Sequence, residues 1–487
     1  MIKSKSVNSL RHILQACLLS AALFAAAGCA GSSSGRAGSS SGRSCGAVED
    51  CGASSSFMSA DGVEVSDWQM GVSRLYPVPS TPPPAAPAGY APVYLSHYGR
   101  HGSRYVAEPG VYATVHAVLS SARERGVLTP LGETVCRSFE DAYPVFSRRE
   151  GELTQKGACQ HRGIAARMVR NFPGLFDGRV RVEANSTNLE RTMLSMLNFT
   201  QQLVALRPDL HLHADASRIG MGAINQHSSE NPAVTAEDVR WKSQDAPWRP
   251  AFREYFRSLV DWRPVCSRLF TDLSFVEGIA DPFDFLRSFY IVTLDLPSCP
   301  ESDADFFRAF TSGELDLLGR MDNYAFYVEK GRYTGGNLRG CYLSESVLGD
   351  ILDRTSEDLA SGVGLRLRFG HDGCIMALLA MLKLDGWDAV LDDPAEAWTV
   401  WDVSKIPMAS NIQIVLYAPK GRVPCCGTAS GKEAAGAAED ELLFMMLLNE
   451  EPLTLPLDAV APHFYRWSDF LAYCGPILDE ARTALGQ

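Results

Sequence analysis

Several features are scarce or missing in this 487-residue chain, and each absence narrows its chemistry. No Cys-x-x-Cys pair occurs anywhere, which argues against a zinc site. Positive charge is in deficit: 45 Lys and Arg face 57 Asp and Glu, a formal net charge of −12. Nucleic-acid binders carry a basic surplus, so that class is excluded. Any anion site in such a protein has to be a local basic pocket. Beyond the N-terminus no stretch is long and apolar enough to span a membrane. What remains is ordinary globular composition, 46% hydrophobic and 21% charged, with length for one large or two to three ordinary domains.

The first 29 residues read as a targeting segment. Lys3, Lys5 and Arg11 form a basic start, and residues 13–27 an apolar run too short and Ala-rich for a comfortable span. Ala26-Ala27-Gly28-Cys29 resembles a bacterial lipobox, although Ala26 stands where Leu or Val is commoner. In that reading Cys29 is the lipidated first residue of an exported lipoprotein, in the periplasm or at the outer membrane or cell surface. Contact with the membrane is then by the lipid anchor only. An ordinary signal peptide cut nearby is the alternative. Residues 30–75 follow as a flexible tether, in which Gly31-Ser-Ser-Ser-Gly-Arg recurs from Gly38. A Pro-rich lead-in over 81–87 closes it, and the globular part is expected from near Tyr90. Of 13 cysteines, Cys17 and Cys29 belong to the leader, which leaves an odd number. Cys45 and Cys51 could pair in the tether, and at least one other stays unpaired.

Residues 93–98 read as a strand that breaks at Gly99 and Gly102. Arg100-His101-Gly102-Ser103-Arg104 lies at its end. Two planar guanidinium groups can each grip phosphate oxygens bidentately. An imidazole between them can attack phosphorus and form a covalent intermediate. Gly102 lets the backbone approach a ligand closely. A basic surface loop would contain the same residue types; the position at a strand end favours a phosphate site.

These five residues match the Arg-His-Gly-x-Arg signature of the histidine phosphatase superfamily. The chain resembles its histidine acid phosphatase branch, which includes phytases and multiple inositol polyphosphate phosphatases. Ser103 and Tyr105 look most like the latter group. The resemblance covers most of the chain after about residue 75. It implies an α/β fold: a three-layer core with a central mixed, mostly parallel sheet, like phosphoglycerate mutase, and a mainly helical cap. The core is expected over 76–206 and 361–487, with the cap inserted over 207–360 as one wall of the cleft. Within that interval, 248–262 and 283–290 show helical spacing, and His227 is a weak candidate in a polar loop.

Other motifs fit this frame. Thr154 reads as a helix N-cap, followed by His161, Ile164, Ala165, Met168 and Val169 on one face. A histidine on an apolar face is ordinarily a packed one with its nitrogens satisfied. Residues 179–183 alternate as a strand and lead through Arg191 into a helix over 193–206. Arg191 resembles the family's third phosphate-gripping arginine; alone, it reads equally as a surface arginine at a helix start. Leu365, Leu367 and Phe369 alternate along a strand that ends at Gly370-His371-Asp372, before a helix over 374–382. His371-Asp372 resembles the His-Asp motif of phytases and acid phosphatases, in which His binds phosphate and Asp donates a proton. The inositol polyphosphate phosphatases usually carry His-Ala-Glu there, so the subfamily is open. Residues 412–417 and 442–448 read as strands joined by a long loop over 421–438, and Trp467 and Tyr473 as packing residues.

The expected activity is phosphate monoester hydrolysis with no cofactor and no metal. Arg100, Arg104, Arg191 and His371 cradle the phosphoryl group, His101 attacks, and Asp372 protonates the leaving alcohol. Activity should favour acid pH unless the surroundings raise the Asp372 pKa. The expected substrate is a phosphorylated small molecule, by resemblance an inositol polyphosphate, with 2,3-bisphosphoglycerate and broad monoesters as alternatives. Two rivals are a phosphoryl-transferring mutase and a surface lipoprotein that binds ligand without catalysis.

Overall fold

The computed structural model describes residues 57–58, 64–299, 306–336, 338–384, 386–422 and 439–487. The leader with Cys29, the Cys45 and Cys51 pair and most of the 421–438 loop lie outside them. Nine strands form one sheet: β1 (Tyr90–Arg100), β2 (Arg181–Ser186), β3 (His211–Asp215), β4 (Val363–Gly370), β5 (Asn411–Pro419), β6 (Leu443–Leu448), β7 (Glu451–Pro452), β8 (Ala459–Ala461) and β9 (Phe464–Arg466). Their order is β8-β9-β6-β5-β1-β4-β2-β3, with β7 paired to β6. The run β1-β4-β2-β3 is parallel. From β1 towards β5 and beyond, the pairing is antiparallel. β1 runs through Gly99 to Arg100, two residues past the expected break, because both neighbours hold its last turn of backbone in register.

The main helices are α1 (Val111–Glu124), α2 (Pro130–Phe146), α3 (Gln155–Asn171), α4 (Glu190–Leu206), α5 (Arg249–Leu259), α6 (Trp262–Leu269), α7 (Pro282–Asp295), α8 (Ser312–Lys330), α9 (Glu345–Ser361), α10 (Asp372–Met381) and α11 (Trp467–Leu485). Side-chain alternation along the strands divides the core into two apolar layers. Leu95, Val182, Leu365 and Leu367 pack with Ile164 of α3 and Phe199 of α4. Tyr94, Tyr98, Ile412 and Ile414 pack on the other side with Ile351 of α9, Ile375 of α10 and Phe470 of α11. Helices on both faces make the three-layer α/β core. Trp467 is in the second layer, and Tyr473 donates its hydroxyl to Leu382 O at 2.7 Å.

A third cluster builds the helical cap from Val115, Phe139, Phe252, Val265, Phe289 and Leu318. These residues come from α1, α2, α5, α6, α7 and α8, so packing shifts the limits of 207–360. α1 and α2 precede that interval yet join the cap. β3 and α9 lie inside it yet belong to the sheet and its covering layer. Apolar spacing shows that a helix has a buried face, not which neighbour buries it.

The tether is also shorter than 30–75. Ser66 and Gln69 close a capping box around the short helix Asp67–Met70. Gln69 and Met70 are buried, and Gln69 Nε2 donates to Ser312 Oγ at 2.8 Å and Asp316 Oδ1 at 2.9 Å. Val72 O accepts from Arg100 Nη1 at 2.7 Å. Ser-rich composition hides this segment in the sequence, because its anchor is a contact with residues some 240 positions away. A chain starting at residue 64 is expected to unfold like the full-length protein. One starting at residue 76 loses the Met70 burial and the Gln69 bonds, about 3 kcal/mol or more by denaturant titration. Equal stability of the two truncations would remove the segment from the fold.

Candidate active site

The parallel pairing of β1 and β4 places Arg100 opposite Gly370. The chain leaves both strands at the same sheet edge, outside their carboxyl ends, where open α/β sheets bind ligands. His101 N donates to Gly370 O at 3.1 Å, and Arg100 N to Ser410 O at 2.7 Å. The loop after β2 joins them, with Thr187 N donating to Phe369 O at 3.0 Å. Arg100, His101, Arg104, Arg191, His371 and Asp372 thereby fall within electrostatic reach of one another.

The loop 101–104 is held by the start of α3. Thr154 caps that helix, accepting from Gly157 N at 3.1 Å. Thr154 N and Oγ1 both donate to Ser103 O, at 2.9 and 3.1 Å. Gln160 clamps Ser103, accepting from its N at 2.9 Å and donating to its Oγ at 3.0 Å. Gly102 N donates to Ser195 Oγ of α4 at 3.1 Å. A Cβ on Gly102 would stand 2.5 Å from Gly157 O, and one on Gly157 would stand 2.2 Å from Ser103 O. Gly102 is therefore required by backbone packing against α3, which replaces the expected approach to a ligand.

His101 is 3% exposed and its Nδ1 lies 2.9 Å from Gly102 O. A carbonyl only accepts, so Nδ1 carries the hydrogen and Nε2 keeps its lone pair in the neutral ring. Burial, then Arg100, Arg191, Arg104 and His371, hold its pKa well below the usual range, so the ring is neutral. Arg100 is fully buried; Nη1 donates to the carbonyls of Val72 and Ile406 at 2.7 and 2.9 Å. Its Nη2 stands at ion-pair distance, 2.9 Å, from Asp372 Oδ2, but neither Nη2 nor Nε has an aligned hydrogen-bond partner among the described residues. Arg191 Nε is likewise buried without one. Unspent guanidinium donors around a neutral imidazole form a site electrostatically prepared for an anion.

His371 caps the start of α10, with Nε2 3.3 Å from Thr187 Oγ1 and its ring centroid 5.8 Å from that of His101. Its pKa is lowered to about 4, mainly by burial and then by Arg191. Asp372 is the first residue of α10 and accepts from Gly373 N at 2.7 Å. Burial pushes its pKa up, but Arg100, His371, the Gly373 N–H and Arg104 outweigh that and hold it below the ordinary value. The exception to the acid-pH expectation, surroundings that raise the Asp372 pKa, is therefore not met in the free site.

Motif reading missed three groups from the cap. Asp295 at the end of α7 is buried, accepts from Tyr112 OH at 2.6 Å and Val106 N at 3.1 Å, and lies 3.9 Å from Arg104 Nη1. Asp322 of α8 responds to the charges of Arg287, Asp372 and Arg100, and burial raises its pKa to about 6. Lys330 ends α8 and lies against Gly373. None has a local sequence signal, since each reaches the site through cap packing. His161 is buried between Phe199 and Phe369, with a pKa lowered by burial to about 3. It is a packing residue, but both ring nitrogens lack a partner among the described residues, contrary to expectation. No cluster of His, Cys, Asp and Glu suited to a metal ion occurs among the described residues.

No protein-family model and no curated protein matches the chain. Solved structures do. The multiple inositol polyphosphate phosphatase of Bifidobacterium longum, complexed with inositol hexasulfate, matches with a TM-score of 0.65 and 18% identity, over 83% of this chain and 96% of that one. Its phosphate complex gives 0.62 and 18%, over 84% and 98%. The phytase from D. castellii gives 0.62 and 13%, over 86% and 87%. The chain shares their fold. At such identity the likeness establishes architecture, and the chemistry has to rest on the side chains above.

Asp295 yields a pH prediction. Burial raises its pKa from 3.8 to about 6, against the lowering effects of Arg104 and Tyr112. Between those values the folded protein holds a proton that the unfolded chain releases, so stability falls as pH rises through about 6. Asp295→Asn should flatten that fall by on the order of 2 kcal/mol, read as unfolding free energy at about pH 4 and pH 7. An unaltered pH slope would count against a buried, protonated Asp295.

Proposed function

We propose that the protein is a metal-independent phosphatase that hydrolyses phosphate monoesters through a phosphohistidine, with inositol polyphosphates as its substrates. The observation that carries this is His101: a neutral imidazole with Nδ1 committed to Gly102 O, within the field of Arg100, Arg191 and Arg104, the first two with donors that have no hydrogen-bond partner among the described residues. Arg100, Arg104, Arg191 and His371 supply the charge that stabilises the phosphoryl oxygens. His101 Nε2 attacks phosphorus, the bond from phosphorus to the leaving oxygen breaks, and Asp372 gives that oxygen a proton. The Asp372 carboxylate then takes a proton from water, which attacks the phosphohistidine and releases phosphate.

Asp372 is ionised in the free site, so its proton arrives with the substrate. A phosphate monoester has a second pKa of about 6 and carries that proton at acid pH. Bound phosphate also competes for the Arg100 donors that hold Asp372 down. Acid-favoured turnover follows from the pair of groups, not from a raised pKa of Asp372 alone.

A cavity of about 460 Å³ beside the loop after Arg104 favours a multiply charged substrate over a simple ester. It is lined by Arg249, Arg253, Arg257 and Arg287, with Glu108 and Asp284 as acidic members. In a protein of net charge −12 this is the local basic pocket that a polyanion needs. The broad-specificity reading shares the chemistry and differs only in how the leaving group is held. Attachment to a membrane through Cys29 is part of the proposal and is supported by the leader sequence alone.

The test is phosphate release from inositol hexakisphosphate and p-nitrophenyl phosphate at about pH 5 with EDTA, for the wild type and His101→Ala. Release from both substrates should survive EDTA and fall by about 10⁴-fold or more in the variant. An acid-labile phosphoryl group should be trapped on His101 in the wild type. Activity that persists in His101→Ala would overturn the covalent route. Release from p-nitrophenyl phosphate alone would leave a general acid phosphatase.

A further inference from the structure

Lys330 is the last residue of α8 and is 4% exposed, yet no carboxylate among the described residues forms a close pair with it. Glu329 Oε2 stands 3.8 Å from its Nζ, and that residue is also 3.6 Å from Arg249. The close partner of Nζ is His227 Nε2, at 2.7 Å. An ammonium only donates, so His227 accepts with Nε2 and is a neutral ring. His227 has a fixed place. Gln226 donates to Gly340 O at 3.2 Å and accepts from Ser344 Oγ at 2.6 Å, and Ile224 O accepts from Tyr98 OH at 2.5 Å.

The lysine lies at the start of α10. A Cβ on Gly373 would stand 2.6 Å from Lys330 Cε and 3.5 Å from its Nζ, so that glycine leaves the space the lysine stem occupies. A cation at a helix N-terminus is unfavourable, since that end already carries positive partial charge. The charged and titratable groups facing it are Lys242, Glu329, Cys374 and Asp372, two of them on α10 itself. An ammonium has three donors, and one is engaged by hydrogen bonding among the described residues. The lysine packs against Gly373, one residue along the chain from the proposed proton donor Asp372.

We propose that Lys330, braced by His227, binds an anionic group carried by the leaving alcohol, the second phosphate of a polyphosphorylated substrate. This rests on the phosphatase reading above. It makes Lys330 a positioning residue that separates polyphosphates from simple esters. A phosphate there restores an anion to the helix N-terminus and satisfies the open donors. The Lys330 pKa is lowered to about 8, chiefly by burial and Lys242, so the ammonium is charged at the acid pH proposed for turnover.

The experiment compares Lys330→Met, Lys330→Gln and Lys330→Arg with the wild type, on inositol hexakisphosphate and p-nitrophenyl phosphate. The two neutral variants should raise KM for the inositol substrate about tenfold or more, the effect of one lost charge-assisted bond. kcat/KM for p-nitrophenyl phosphate should fall by a clearly smaller factor than that for the inositol substrate, and Lys330→Arg should restore most of the preference. Equal losses on both substrates would make Lys330 structural, and no change on either would remove it from the site. If the wild type turns over neither substrate, the phosphatase reading fails separately. Titration calorimetry with inositol hexakisphosphate and with inorganic phosphate then decides the present one: only the former should weaken in the neutral variants, and parallel behaviour of the two ligands overturns it.

Discussion

The site depends on one piece of backbone geometry, the parallel register that sets Arg100 of β1 against Gly370 of β4. It brings together residues some 270 positions apart and puts His101 beside His371 before any side chain makes a contact. β1 can do this because it is parallel to one neighbour and antiparallel to the other, so its end is held from both sides. The same strand sends Leu95 into one apolar layer and Tyr94 and Tyr98 into the other. The loop that carries His101 thus springs from a strand paired on both sides.

Rigidity at that point has an electrostatic purpose. Three guanidinium groups crowd around two neutral imidazoles, and their mutual repulsion would disperse them if they stood on mobile loops. The two glycines where the loop meets α3, with Thr154 and Gln160, hold the positions against that repulsion. Asp372 offsets part of the charge and loses its proton in return. Asp295 does so for Arg104 only partly, its own charge being suppressed by burial.

The cap adds what the sheet lacks. Its helices bring Asp322 and a buried Lys330 within electrostatic reach of Asp372, and line a neighbouring cavity with arginines. In the proposed function the sheet edge handles one phosphoryl group, and the cap distinguishes what that group is attached to.

Much of this was legible locally. Alternation at Leu365, Leu367 and Phe369 placed β4, the Thr154 cap placed α3, and the motifs around His101 and Asp372 marked residues that the fold brings together. Those signals survive in one dimension because strand periodicity, capping and turn residues act over a few positions. The segment around Gln69, the membership of α1 and α2 in the cap, the packing role of Gly102 and the places of Asp295, Asp322 and Lys330 had no such signal. Each is defined by a neighbour distant in the chain. The ionisation of His101 and Asp372 was equally out of reach, since a pKa is set by burial and by the charges that surround a group. The sequence by itself determined which chemical groups the protein has and which short elements carry them. Only the tertiary structure decided which groups meet, how deeply they are buried and which protons they hold, because those properties arise from packing and charge between distant parts of the chain.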